Sequence, residues 1–119
     1  MKSATAASQK AGYYAYPYLK CSGGYVAFGY EGTREHKDDW YGMYQDHKWP
    51  SGSNVYDGMV RWKDGWGHTH WAWQWASWSK ERVSGVKSGT FHVIYWTRNN
   101  ENFDWHYAGT MSPKSIDCR

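Results

Sequence analysis

The sequence predicts an all-β protein: a small single-domain antiparallel sandwich or barrel of about six to eight short strands, with an aromatic-rich core and one terminal disulfide. Three observations favour this class. Several short segments alternate in side-chain character, glycine-containing turns separate them, and helical periodicity is weak. The length of 119 residues suits one domain. We expect a flexible N-terminal tail over residues 1–11 and a single β domain over residues 12–119.

The core is predicted to be built mainly from aromatic rings. The chain has 10 Trp, 11 Tyr and 3 Phe, but its aliphatic side chains include one Leu and two Ile. Aromatic rings bury large areas and pack in offset or edge-to-face pairs, so they can replace the missing aliphatics. So many rings exceed the needs of a small core, which predicts that some form an exposed binding surface.

Six segments are predicted to be strands. In chain order they are Tyr13–Leu19, Gly24–Tyr30, Asn54–Trp62, His68–Trp78, Gly89–Thr97 and Phe103–Gly109. Pro17 places the first strand at a sheet edge, because proline has no N–H for the ladder. The last two strands, joined by "RNNEN", are predicted to form a hairpin. Residues 31–49 contain Gly32 and Gly42 and have poor apolar spacing, which favours a long loop.

The two cysteines, Cys21 and Cys118, allow one intramolecular disulfide. Such a bridge would hold the C-terminal end against the sheet and would stabilise the fold by up to about 4–5 kcal/mol in the chain-entropy model. It predicts a secreted protein, whereas two buried free thiols in a cytosolic protein are the alternative. The opening "MKSATAASQKAG" lacks an apolar h-region, so we expect the start of a mature secreted chain without its signal peptide.

The charge distribution argues against a nucleic-acid partner. The formal net charge is +3, and no block of like charge exceeds two residues. Nucleic-acid binders present a concentrated basic patch. No apolar run approaches the ~20 residues of a membrane-spanning helix.

The tryptophan-rich stretch over residues 66–78 is the main functional signal. As one strand it has two faces. Trp71, Trp73 and Trp75 share one face, and the other displays Trp66, His68, His70, Gln74 and Trp78. The favoured interpretation places the first face in the core. In the reverse arrangement, which stays open, the three Trp rings form an exposed ladder with a spacing of about 7 Å.

Indole rings beside hydrogen-bonding side chains are suited to sugars, since the apolar face of a pyranose stacks on a ring while polar groups hold its hydroxyls. The predicted function is a secreted noncatalytic binding protein for a carbohydrate or cell-surface glycan. Its candidate ligand-binding residues are Trp66, His68, His70, Gln74 and Trp78, joined by Trp40, Tyr41 and Trp49 from the predicted loop. No catalytic residue and no cofactor is predicted.

Two alternatives stay open. One is a secreted antimicrobial protein, toxin or enzyme inhibitor that acts on a cell envelope or a secreted enzyme, with a target protein or a membrane surface as its partner. The other is a small metal-dependent enzyme. It would use His68 and His70, whose spacing suits metal ligation, with His92 and His106 as further weak ligand candidates.

Overall fold

Antiparallel strands form the regular structure of the computed structural model, which describes residues 2–3, 14–33, 37–98 and 104–119. The strands are β1 (Lys2–Ser3), β2 (Tyr16–Ser22), β3 (Tyr25–Glu31), β4 (Trp40–Gln45), β5 (Arg61–Lys63), β6 (Thr69–Trp71), β7 (Trp73–Trp75), β8 (Glu81–Val83), β9 (Ser88–Arg98), β10 (Trp105–Met111) and β11 (Lys114–Asp117). The all-β prediction is confirmed. Within the described ranges ten strands have three or more residues, which exceeds the expected six to eight because four of them have only three.

The strands form one large sheet, one small sheet and a ribbon. The large sheet has the order β1-β10-β9-β4-β7, and β11 pairs with the first part of β9. The small sheet has the order β2-β3-β8, and the ribbon pairs β5 with β6. The central strand of the large sheet is therefore β9, the longest strand and the one with the strongest β pattern in the sequence.

The first core layer lies between the two sheets. Phe28 and Tyr30 of β3 pack edge-on against Tyr41 of β4, with ring centroids 5.8 and 5.4 Å apart. Tyr30 also contacts Tyr95 of β9 at 4.8 Å. All four rings are buried, and the hydroxyl of Tyr95 donates a 2.8 Å hydrogen bond to Oδ2 of the buried Asp39. The predicted strand Gly24–Tyr30 is confirmed as β3, and its Phe28 and Tyr30 side chains share the face toward this layer.

A second aromatic layer covers the opposite face of the large sheet. Trp40 stacks on Trp96 with centroids 5.7 Å apart, and the indole Nε1 of Trp96 donates a 3.0 Å hydrogen bond to the hydroxyl of Tyr44. Tyr107 packs edge-on against Trp96 at 4.9 Å. The large sheet is thus buried on both faces. Many of the aromatic rings that a single core layer could not hold therefore pack in this second layer.

The prediction of a loop over residues 31–49 is wrong for Trp40–Gln45, which form the interior strand β4. Both faces of this strand are apolar because it lies between the two layers, so its sequence lacks the alternation that reveals a half-buried strand. Trp40 and Tyr41, expected in a binding loop, therefore pack on opposite faces of the sheet. Residues 34–36 of the expected loop lie outside the described residues.

The predicted strand Asn54–Trp62 is wrong for its first half. Residues 55–58 form turns, held by hydrogen bonds such as Asp57 N to Asn54 O at 3.1 Å, and only Arg61–Lys63 form a strand. Asn54, Asp57 and Gly58 favour turns, and this local chemistry overrides the apolar spacing.

The predicted single strand over residues 68–78 is interrupted at Ala72. The amide of Ala72 donates to the carbonyl of Val60, and its carbonyl accepts from the amide of Met43, each at 2.9 Å. The chain therefore leaves the ribbon at Trp71 and enters the large sheet at Trp73. Ala72 is fully buried at this junction, where a ring would not fit.

The predicted disulfide is confirmed. Cys21 and Cys118 are bonded with their Cα atoms 5.3 Å apart, and the bridge ties the C-terminal end to β2. The edge position of β2, which contains Pro17, is also confirmed, as is the antiparallel pairing of β9 with β10.

Parts of some predicted elements fall outside the described residues, including Tyr13, Phe103 and residues 99–102. Of the predicted tail, Lys2–Ser3 pair with Thr110 and Met111 of β10, while residues 1 and 4–11 lie outside the described ranges. The tail prediction stays untested. Among the described residues no helix is long and apolar enough to cross a membrane.

Candidate functional site

Trp73 and Trp75 form a ridge at the edge of the large sheet. Cross-strand pairing sets Trp73 opposite Gly42 and Trp75 opposite Trp40, so both indoles project from the face that carries the second aromatic layer. Their rings are perpendicular, with centroids 5.1 Å apart, and both side chains are half-buried. We call this pair the Trp73–Trp75 ridge. It borders two different surface depressions.

The first depression, which we call the aromatic cleft, has a volume of about 250 Å³. Its lining residues are Trp40, Val55, Tyr56, Trp73, Trp75 and Trp105. Trp40 is 5% exposed and forms its base, with the rings of Trp73 and Trp105 at 78° and 85° to it. None of the described residues that line this cleft carries a charge.

The second depression, which we call the mixed groove, has a volume of about 520 Å³. Its lining residues are Thr69, His70, Trp71, Trp73, Gln74, Trp75, Trp78 and Arg82. It combines indole rings with an amide, an imidazole, a hydroxyl and a guanidinium. The structure therefore places three residues of the predicted patch, His70, Gln74 and Trp78, along one groove.

Arg82 of β8 fixes the backbone on both sides of the break at Ala72. Its Nη1 donates hydrogen bonds to the carbonyls of Trp71 and Trp73, at 3.1 and 2.6 Å. Its guanidinium also lies 5.2 Å above the ring of Trp62. Burial lowers the pKa of Arg82, but a guanidinium stays charged at any physiological pH. Arg82 thus supplies a fixed positive charge to the groove.

Asp64 organises the tip of the β5–β6 hairpin. Its Oδ1 accepts hydrogen bonds from the amides of Trp66 and His68, at 2.8 and 3.0 Å, and its Oδ2 lies 2.8 Å from Nε2 of His70. The contact with His70 is the main reason that the pKa of Asp64 is lowered. The ring of His70 stacks on Trp62 with centroids 5.5 Å apart. These contacts fix the orientation of the imidazole at the groove.

The other predicted ligand-binding residues are dispersed. Trp66 projects from the hairpin tip and is 86% exposed, and His68 is also exposed, but neither lines the mixed groove. Trp49 is partly exposed and stacks on His92, away from both depressions. Trp40 lines the aromatic cleft. Tyr41 faces the layer between the sheets and is fully buried, with its hydroxyl donating to the carbonyl of Ser79 at 2.8 Å.

The weak metal-ligand candidates do not come together. His68 and His70 both lie near Asp64, whereas His92 is buried beneath Trp49 and its Nε2 donates to the carbonyl of Lys48 at 2.6 Å. His106 lies in β10. In the described part of the chain no group of three or more His, Cys, Asp or Glu side chains is arranged to hold a metal ion.

Several residues of the two depressions were not singled out for the site by the sequence. Tyr56 comes from the turn over residues 55–58, Trp105 begins β10, and Arg82 belongs to the small sheet. The order of the strands in the sheets brings these residues next to the Trp73–Trp75 ridge. Local sequence patterns do not reveal this order. The Asp64 turn had a usable signal, because Asp and Gly in "KDGWG" favour a turn in which the carboxylate accepts from nearby amides.

The chain matches no protein-family model, no curated protein and no solved structure, so the case for a function rests on this geometry.

Proposed function

We propose that this chain is a noncatalytic binding protein for a carbohydrate, and that the mixed groove is its binding site. The observation that carries the proposal is the composition of the groove. Trp71, Trp78 and the Trp73–Trp75 ridge border it together with four polar side chains, Thr69, His70, Gln74 and Arg82. An apolar surface with a few placed polar groups is the usual design of a small-ligand site.

The polar groups keep hydrogen-bonding capacity for a ligand. Oε1 of Gln74 accepts from the amide of Trp75 at 3.0 Å, which leaves its NH₂ group as a donor. Both carbonyl bonds of Arg82 use Nη1, and a guanidinium has further N–H donors on Nε and Nη2. Sugar hydroxyls accept such bonds while the ring face of the sugar stacks on an indole.

The extent of the surface favours a polymer over a single sugar. The groove volume of about 520 Å³ lies within the range of about 300–1,000 Å³ that is usual for small-ligand sites. The ridge then continues the aromatic surface into the adjacent cleft. Consecutive sugars of one chain could thus rest on Trp78, Trp73 and Trp75.

Secretion belongs to the same proposal. The disulfide between Cys21 and Cys118 is compatible with an extracellular location, where such bonds form and persist. Extracellular and cell-wall polysaccharides are then the glycans that the protein would meet.

The test is depletion of the protein from solution by insoluble chitin, cellulose, peptidoglycan and whole cell walls, each with and without EDTA. We expect one polymer to bind, with an affinity that EDTA does not change. Trp78→Ala should weaken this binding about tenfold or more. Trp66→Ala is the matched control, because Trp66 is as exposed as Trp78 but does not line the groove.

Three results would contradict the proposal. If no polymer depletes the wild type, carbohydrate binding fails, and a secreted toxin or inhibitor becomes the better hypothesis. If EDTA abolishes binding, the interaction depends on a metal ion, and the alternative of a metal site at His68 and His70 becomes the better hypothesis. If Trp66→Ala and Trp78→Ala weaken binding equally, the mixed groove is not the site.

A further inference from the structure

The aromatic cleft differs chemically from the mixed groove and calls for a different ligand. Five of its six described lining residues are aromatic and the sixth is Val55. We propose that this cleft binds a quaternary ammonium group, the trimethylated head that choline and trimethyllysine share. The proposal does not rest on glycan binding in the mixed groove, although the two sites share the Trp73–Trp75 ridge.

The orientation of the rings supports a cation site. The planes of Trp73 and Trp105 are nearly perpendicular to that of Trp40, and Trp75 is perpendicular to Trp73 at 89°. Rings in crossed planes surround a small cleft from several directions. The face of each indole carries negative electrostatic potential, and a cation within about 6 Å of a ring centroid is attracted to it.

The base and one side of the cleft are held in place before any ligand arrives. Trp40 is stacked on Trp96, whose Nε1 donates to the hydroxyl of Tyr44 at 3.0 Å. That hydroxyl donates in turn to the carbonyl of Val55, a lining residue, at 2.7 Å. This chain of contacts connects the turn that carries Val55 to the ring below it. A preorganised site avoids the entropic cost of ordering its side chains on binding.

The protein's own cations leave most of these rings unoccupied. Among the described residues, Lys or Arg side chains lie over the rings of Tyr25, Tyr30, Trp62, Trp71 and Trp105. Of the rings that line the cleft, Trp105 is the one with such a partner among the described cations, the guanidinium of Arg98 at 5.4 Å. No described Lys or Arg lies over the rings of Trp40, Trp73 or Trp75, which favours their use by a cation from outside.

The cleft suits a methylated ammonium better than a sugar or a primary amine. Among the described lining residues, the polar side-chain atoms are the Tyr56 hydroxyl and the indole N–H groups, too few for the hydroxyls of a sugar. A primary ammonium is strongly hydrated, and the described lining has no carboxylate to replace its water. A trimethylated ammonium has no N–H to satisfy. The cleft volume of about 250 Å³ lies just below the range of about 300–1,000 Å³ that is usual for small-ligand sites, which favours a small head group.

The test is isothermal titration of the full chain with choline chloride and with 3,3-dimethylbutan-1-ol, a neutral molecule of the same shape. We expect choline to bind and the neutral isostere to bind about tenfold more weakly or not at all, because only the charge differs. Equal affinity for the two would overturn the proposal, since the cleft would then be a simple apolar pocket. Absence of choline binding would overturn it too.

Matched variants locate the site. Trp105→Ala should abolish choline binding, whereas Trp78→Ala, which changes only the mixed groove, should leave it unchanged. If Trp105→Ala does not fold, Trp105→Leu keeps an apolar side chain without the aromatic face and should show the same loss. Choline binding that survives both Trp105 variants would overturn the assignment.

If choline binds, a last comparison identifies which class of molecule, a lipid or a modified protein, carries the ammonium group that the cleft recognises. Vesicles of phosphatidylcholine, with phosphatidylglycerol vesicles as control, report on a lipid head group. A trimethyllysine peptide, with the unmodified peptide as control, reports on a modified protein. We expect one of the methylated probes to bind in a Trp105-dependent way and both controls to fail. Equal binding of each probe and its control would overturn the proposal.

Discussion

Nη1 of Arg82 donates a 2.6 Å hydrogen bond to the carbonyl oxygen of Trp73. The two residues belong to different sheets, so this bond connects the small sheet to the ridge that borders both depressions. The same Nη1 atom also donates to the carbonyl of Trp71 at 3.1 Å. One guanidinium thereby holds the two strand ends that flank the break at Ala72.

We expect Arg82→Ala to destabilise the fold and to weaken polymer binding together. Hydrogen bonds to charged groups contribute about 1.5–3 kcal/mol, and the two carbonyls would lose their partner, so the free energy of unfolding should fall by about 2–3 kcal/mol. Urea denaturation measures this loss. Arg82→Lys should recover only part of it, because an ammonium lacks the planar fork. Unchanged stability in Arg82→Ala would show that the two bonds contribute nothing.

His92 should make stability depend on pH. Its ring is fully buried between Trp49 and Tyr44, and Nδ1 has no hydrogen-bond partner among the described residues. Burial lowers the pKa of His92 below its ordinary 6.5, although the hydrogen bond to the Lys48 carbonyl and the nearby Asp46 act in the opposite direction. The unfolded chain therefore binds this proton first as the pH falls. The stabilising effect is complete above pH 6.5 and is lost below it, toward the lower pKa of the folded protein.

Urea denaturation between pH 7.5 and 5 measures this dependence. The slope from one such group approaches about 1.4 kcal/mol per pH unit. His92→Gln should reduce the slope, and the exposed His68→Gln is the control that should not. If the wild type and His92→Gln lose stability in parallel, another group is responsible.

Removal of the disulfide should cost much of the stability. Cys21 and Cys118 are 97 positions apart, and a loop of about 100 residues corresponds to about 4–5 kcal/mol in the chain-entropy model. We expect the double variant Cys21→Ser with Cys118→Ser to unfold at much lower urea concentration than the wild type. Reduction of the wild type should reproduce the effect. If the urea midpoint is unchanged in the double variant and in the reduced wild type, the sheets hold the C-terminal end without the disulfide.

The sequence predicted the strands that have one clear apolar face or a strong β composition. β3 alternates Val26, Phe28 and Tyr30 toward the core, and β9 is rich in β-branched and aromatic residues. β4 was missed for a physical reason. It lies between two aromatic layers, so neither face is polar, and a strand of this kind has no period-2 signal.

Sequence reasoning identified only some of the residues that line the mixed groove, because residue types can be read from a sequence whereas their three-dimensional arrangement cannot. His70, Gln74 and Trp78 share a groove even though the expected single strand is broken at Ala72. The alternation expected along residues 66–78 assumes one continuous strand, and the break resets it. Residue type therefore indicated the surface. The shape of that surface depends on hydrogen bonds with Met43, Val60 and Arg82, which are distant in sequence.

Gly52 should control the position of Trp105 in the aromatic cleft. The amide of Trp105 donates to the carbonyl of Gly52 at 3.3 Å, and a Cβ added at Gly52 would collide with the backbone carbonyl oxygen of Trp105. Backbone cannot move as freely as a side-chain end, so Gly52→Ala should displace the start of β10. We expect this variant to lose choline binding while polymer binding at the mixed groove persists. Gly65→Ala is the matched control, since an added Cβ there meets nothing within 4 Å. If Gly52→Ala binds choline as the wild type does, Trp105 does not shape the cleft through this contact.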